Sequence, residues 1–282
     1  PAPYLSGSDL NIEGQAHRFL LYSQKGDGTG ALAFNIGQGL VEDIQHYNKF
    51  IPPNAGLRFL SGSAKTRGGF SIESGVAHGL IEVSGTAVTL SVRDREIEAD
   101  FHLSANLSEG DWRTRLFRLK DSTIRLEKVQ VSSKVKETAE DWWGEVKIER
   151  GDLIWQEPFD LDAKMRLTMR DVEPLLYMFR DPEKKKSKID EFLNVKNVDG
   201  RMLAQARDEE IHIDPLHIDS DDLEVISKLS LSRDTANGVL YAKFKKVSAH
   251  FQIVDKSPRM IGFGGRKKIL QEVDLSRLDA QP

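Results

Sequence analysis

The 282-residue sequence contains no cysteine. That removes disulfides, thiolate nucleophiles and cysteine-held metals together, and fits cytoplasm and periplasm equally well. Charge of one sign is not in excess either: 40 Lys and Arg stand against 44 Asp and Glu, a net charge of −4. There is therefore no basic field to hold nucleic acid, and no base-reading motif accompanies the charges. No apolar run approaches the roughly 20 residues that carry a helix across a bilayer. The opening Pro-Ala-Pro shows neither an initiating Met nor a charged-then-apolar leader, so the expectation is a processed product or a segment whose anchor or signal lies upstream.

What the sequence does contain is alternation. In FDLDAKMRLTM, residues 159–169, every odd position is apolar and every even one polar. Phe159, Leu161, Ala163, Met165, Leu167 and Met169 would line one face of a strand, with Asp160, Asp162, Lys164, Arg166 and Thr168 on the other. The same period runs through Ile97, Ala99, Phe101, Leu103, Ala105 and Leu107, through Val88, Leu90 and Val92, and through Val247, Ala249, Phe251 and Ile253. One greasy and one wet side per strand is the mark of antiparallel sheets, because buried parallel strands are apolar on both faces.

At this length the chain forms one large all-β domain or two smaller ones, with a sizeable core. The hydrophobic content of 39% and charged content of 30% are those of a folded, well-solvated protein rather than a disordered one. Short strands with a Gly-rich turn cluster, KGDGTGAL, open the sequence. A helix is expected near 38–50, from Leu40, Val41, Ile44, Tyr47 and Phe50 at helical spacing with Pro52 and Pro53 as the stop. About six strands are expected over 57–131, punctuated by SGS, RGG, ESG, VSG and SEGD. A charged stretch, 134–145, divides the chain into units 1–133 and 134–282. In the second, strands over 146–169 precede a helix near 171–181 and a basic stretch at 184–188; strands resume over 198–254, and a last helix is expected near 266–278. Strand block, then helix, recurs in both halves, with turn phrases DSTIRLEKV at Asp121 and DSDDLEV at Asp219, so the expectation is a divergent strand-plus-helix repeat. Repeats of that kind stack into elongated shapes.

Chemistry is sparse. The seven His are scattered; the richest cluster, IHIDPLHIDSDD, offers Asp219, Asp221 and Asp222 to a hard cation, against the simpler reading of a solvated strand face and acidic turn. Glu96, Glu98 and Asp100 are spaced as the wet side of a strand, not as a catalytic pair across a pocket. GDGTGALAFNIGQG lacks the lysine and the strand-to-helix context of a phosphate loop. Ser61, Ser63 and Ser84 lie in Ser-Gly phrases, and no G-x-S-x-G elbow is present. Trp142 and Trp143 suit either an interface anchor or a plug closing the end of a sheet, the plug being favoured. The 184–188 run could touch anionic headgroups, but reads first as solvated surface. No catalytic residue, metal or cofactor is assigned.

Two ways remain to cover the greasy side. A second sheet would give a closed β-sandwich, serving as a scaffold or interaction module of the cell envelope. Otherwise the sheet curls into a trough whose lining is shared with a ligand. Three helices against fifteen or more strands favour the trough, with Phe101, Leu103, Leu161, Met165, Leu167 and Phe251 as representative lining candidates.

Several phrases resemble a known family. NKFIPPNAGLRFLSGSAKTRGGFSIESGVAHGLIEVSGTAVTLSV, then IEADFHLSANL and RLFRLKDSTIRLEKVQV, are similar to the periplasmic repeats of AsmA-like proteins, relatives of TamB and YhdP. The shared phrase here is carried by Asp121, Ser122, Ile124, Leu126 and Val129; the likeness covers 31–131, and 146–254 more weakly. The resemblance implies a mainly β, antiparallel, elongated curled sheet, a taco-like β-groove with a few short helices. It further implies a periplasmic location, an inner-membrane anchor outside this sequence, and a non-enzymatic role binding phospholipid acyl chains for lipid transport or outer-membrane biogenesis. Membrane contact would come through segments missing from this sequence, and other envelope proteins are possible partners. Two departures stand: 282 residues are too short to bridge the envelope, and 181–188 has no counterpart in the family pattern.

Overall fold

A computed structural model describes residues 5–16, 30–51, 57–92, 95–111, 113–131, 141–156, 159–172, 195–208, 210–232 and 235–280. As the alternation requires, the fold is mainly β: one open, curled, antiparallel sheet of 15 strands with only short helices beside it. The strands are β1 (Ser6–Ala16), β2 (Gly30–Val41), β3 (Leu57–Ser61), β4 (Ala64–Glu73), β5 (Val76–Val92), β6 (Arg95–Asp111), β7 (Leu116–Val131), β8 (Trp143–Ile154), β9 (Asp160–Asp171), β10 (Lys196–Arg207), β11 (Glu210–Asp219), β12 (Leu223–Leu231), β13 (Ala236–Phe244), β14 (Val247–Val254) and β15 (Ser257–Phe263). Chain order is sheet order, except that β3 leaves the path to pair with β5. No described helix is long and apolar enough to cross a membrane. Two compact units divide the chain, residues 1–141 with 148–156 and residues 142–147 with 157–282.

In the first unit, β5 is 17 residues long, about 56 Å at ~3.3 Å per residue. It takes β4 along its first part and β3 along its last. A 3₁₀ helix, Ile44–Phe50, follows β2; the Asn48 side chain donates to the Phe59 carbonyl and accepts from the Phe59 N–H, both at 2.8 Å. Around it Val41, Ile44, Ala64, Val88, Leu90 and Ile97 are buried. Curl comes from bulges, which bend a strand and raise its twist. The β5–β6 register slips between Gly85 and Val88, and the β6–β7 register beside Asp100. There the Asp100 carboxylate accepts from the Ala87 N–H and the Lys128 ammonium, each at 2.8 Å. Both donors have left-handed φ, 50° and 52°. The Lys128 hydrogen bond first, then that of Ala87, holds the Asp100 carboxyl below the usual range.

The second unit adds a helix, Arg266–Glu272, and a 3₁₀ turn, Leu275–Leu278. Gly264 and Gly265, at φ 73° and 93°, reverse the chain after β15. A side chain at Gly265 would meet His250 Cβ at 2.8 Å, so the helix start lies directly on β14. Ile269 and Val273 then bury with Ile226 and Tyr241. Arg266 grips Glu224 at 2.8 Å, and Arg201 reaches Asp279 at 2.7 Å.

Several expectations need correction. Residues 38–41 end β2, so the helix near 38–50 shrinks to the 3₁₀ segment. Over 57–131 there are five strands, not about six, because RGG, VSG and SEGD lie inside strands. Gly68, at φ 141°, is needed where a Cβ would strike the Leu80 carbonyl; strand-interior glycine marks close backbone approach. DSTIRLEKV is likewise interior to β7 rather than a turn. The last helix breaks at Val273 and Asp274. The helix expected near 171–181, most of KGDGTGAL, the basic 184–188 run and the 132–140 stretch around the expected boundary lie outside the described residues.

Candidate functional site

Directly opposed residues of an antiparallel pair share a face, so the registers locate the greasy side strand by strand. In the first unit it runs from Leu10 and Ile12 through Ile36 and Phe34, Gly68 and Phe70, and Ile81 and Gly79. Further along, Val83 and Gly85 of β5 face Leu103 and Phe101 of β6, which face Ile124 and Leu126 of β7. One end is sealed: Val88, Ile97 and Ala99 are at most 1% exposed, and Phe59 stands 6.3 Å from Phe101. Beyond it the same face opens to solvent. Leu10 and Ile12 are each 60% exposed, Ile81 44% and Ile124 47%.

In the second unit Leu161, Ala163, Met165, Leu167 and Met169 face Ala206, Ala204, Met202, Gly200 and Val198 of β10. The face continues through Ile211, Ile213, Leu216 and Ile218, then Leu231, Leu229, Ser227 and Val225. It ends with Leu240 against Phe251 and Phe251 against Met260. Ala163, Met169 and Val198 are buried, and Leu161, Met165, Leu167, Leu229, Leu240 and Phe251 are half-buried. Trp142, 3% exposed, donates its indole N–H to the Asp171 carbonyl at 2.8 Å where β9 ends.

The helix of this unit lies on the opposite side. Ile226 faces Tyr241, and Tyr241 faces His250, all on the wet face, and these are the residues that Ile269 and Val273 cover. Arg201 and Glu224, which tie down the tail, are wet-face residues too. Elsewhere that face satisfies itself: Arg166 pairs with Asp199, Arg207 with Asp160, and Gln205 donates to Asp162 at 3.0 Å. Such cross-strand pairs contribute roughly 0.2–1 kcal/mol each and fix the register. Among the described residues, neither a helix nor a second sheet lies over the greasy face of this unit.

Of the sequence candidates, Phe101 and Leu103 share a face in the first unit. Phe101 belongs to its sealed end, and Leu103 to the border of the open stretch. Leu161, Met165, Leu167 and Phe251 share a face in the second, β9 and β14 being five strand spacings apart, about 24 Å. Ile81, Ile124, Leu229 and Leu240 were not singled out as lining. Their signal was present in the alternation, but Leu80 beside Ile81 and the interior glycines obscured it. In the acidic cluster, Asp221 accepts from Asn197 at 2.8 Å and Asp222 lies 3.8 Å from Lys245; among the described residues no three His, Asp or Glu are grouped to hold a metal.

A scan against protein-family models returns no match, and neither curated proteins nor solved structures match the chain.

Proposed function

We propose that this chain is a non-enzymatic module that binds lipid acyl chains along its open greasy faces. In this reading it is a periplasmic part of an AsmA-like, inner-membrane-anchored protein serving phospholipid transport or outer-membrane biogenesis. One observation carries the reading. The only described α-helix of the second unit packs on the wet face, leaving half-buried Leu161, Met165, Leu167, Leu240 and Phe251 in a row on the other, with no described helix over them. Among the described residues nothing lies over that row, and an apolar row left partly open to solvent suits an apolar partner. The closed-sandwich alternative needs a second sheet, and every described strand belongs to one.

The energetics favour such a lining. Moving two chains of about 16 carbons through water costs on the order of 25 kcal/mol at ~0.8 kcal/mol per CH₂. A row of apolar side chains removes most of that cost while leaving the lipid free to slide, and asks for no catalytic group or cofactor. The test is native mass spectrometry of protein purified without detergent, followed by organic extraction. Co-purifying phospholipid or fatty acid, displaced by Leu103→Glu or Leu240→Glu but retained in Glu98→Gln, is expected. A clean apo mass with no uptake from liposomes refutes the reading. Asp100 is unsuitable as a control, because it ties two bulges together.

A further inference from the structure

Among the described residues the two outermost strands, β1 and β15, each pair on one side only. Both are exposed almost throughout. An unpaired, exposed edge carrying apolar side chains is a ready template for another strand, and here Met260 is 51%, Ile261 54% and Phe263 79% exposed at one edge, with Leu10 and Ile12 at the other. Natural edges are usually blunted by charge or proline. Here Pro258 and Arg259 blunt only the start of β15.

We propose that β15 of one copy pairs antiparallel with β1 of a second copy, so that sheets add edge to edge. The partner is argued from what each edge lacks. The strand β15 carries a base, Arg259, and no acid; β1 carries two acids, Asp9 and Glu13, and no base. Pairing β15 with β15 sets no acid against Arg259 and pairing β1 with β1 sets no base against Glu13, whereas β15 with β1 can set Arg259 against Glu13.

Face and register follow. Met260 and Phe263 stand opposite Phe251 and Ala249 of β14, on the greasy face, and Arg259 stands opposite Gln252 on the wet one. Leu10 and Ile12 stand opposite Ile36 and Phe34 on the greasy face, and Glu13 lies on the other. The strand β15 already holds one extra residue, Ile261, between Met260 and Gly262. Keeping that bulge, one alignment sets Arg259 against Glu13, Met260 against Ile12, Gly262 against Asn11 and Phe263 against Leu10. A shift of two residues either way sets Met260 or Phe263 against Gly14 or Ser8 and removes the charge pair. A shift of one puts apolar side chains on the wrong face. The contact is head-to-tail, so it builds a chain of copies or closes a ring. It does not depend on whether the greasy faces carry lipid.

The cysteine-free background makes the test direct. Ile12→Cys and Met260→Cys are prepared separately, mixed, and treated with a short bis-maleimide. A cross-linked dimer is expected from the mixture and not from either variant alone, which also rules out a link within one copy. In sedimentation velocity, the unaltered chain is expected to associate with concentration. Arg259→Glu should weaken this by about five-fold or more, as like charges opposed across strands do, and Arg259→Glu with Glu13→Arg should restore it. A single monomeric species at all concentrations with no mixed cross-link overturns the proposal. So does association that Arg259→Glu leaves unchanged, or that the charge swap fails to restore.

Discussion

Replacing Ile124 by Glu tests the proposed acyl-chain binding with little expected cost to folding. Ile124 lies on β7 opposite Leu103, on the greasy face, yet is 47% exposed. A half-solvated position with no hydrogen bond to lose should cost the fold under about 1 kcal/mol. Its effect on an acyl chain is larger. Strands are ~4.8 Å apart, so a chain lying across them sets about four methylenes over each. Displacing those from apolar contact loses about 3 kcal/mol at ~0.8 kcal/mol per CH₂, and every ~1.4 kcal/mol is a tenfold change in affinity. The expected loss is therefore on the order of 100-fold in binding of a fluorescent fatty acid, with a melting temperature within a few degrees of the unaltered chain. Affinity unchanged within two-fold, in a variant that melts normally, would refute the assignment of this face as a lining.

Two further outcomes follow from the second unit. The hydrogen bond from Arg266, with its charge as a smaller cause, lowers the Glu224 pKa. That contribution to stability is complete above the ordinary Glu value of about 4.3 and is lost as pH falls through the lower folded value. Amide-exchange protection of residues 266–273 should hold between pH 7 and 5 and decline below about 4, and protection that rises on acidification would contradict the latch. Ile269→Ala, which empties the fully buried contact with Ile226 and Tyr241, should cost about 2–5 kcal/mol in urea unfolding; a cost under 1 kcal/mol would mean that the helix does not belong to the wet-face core.

The alternation made the fold class legible because a period of two is a direct imprint of the pleat, and residues 159–169 carry it without a break. Lengths and ends were not legible, because glycine serves two purposes. In ESG it makes the β4–β5 turn at Ser74 and Gly75, but in RGG it lets β4 approach the Leu80 carbonyl, and the letters alone do not distinguish them. Leu40 and Val41 fit a helical spacing as well as a strand, and pairing with β4 decided the matter. The last helix was expected near 266–278 and begins at Arg266, but the face of the sheet that it covers was not read from the sequence. Ile226, and Tyr241 across from it, interrupt the wet face of β12 and β13, and that interruption marked a second buried surface which the helix covers. The candidates named from sequence lie on the greasy faces of their strands, but Phe101 packs against the sealed end while exposed Ile81 and Ile124 went unnoticed.

The central claim is that the greasy faces meet lipid. The most direct measurement places a photoreactive amino acid at Ile81, Ile124 or Leu240, with Glu98 as the wet-face reference, and irradiates the protein with phospholipid vesicles. Lipid adducts at the three greasy-face positions and none at Glu98 are the predicted result. Equal labelling at all four, or no adduct at any, would contradict the account.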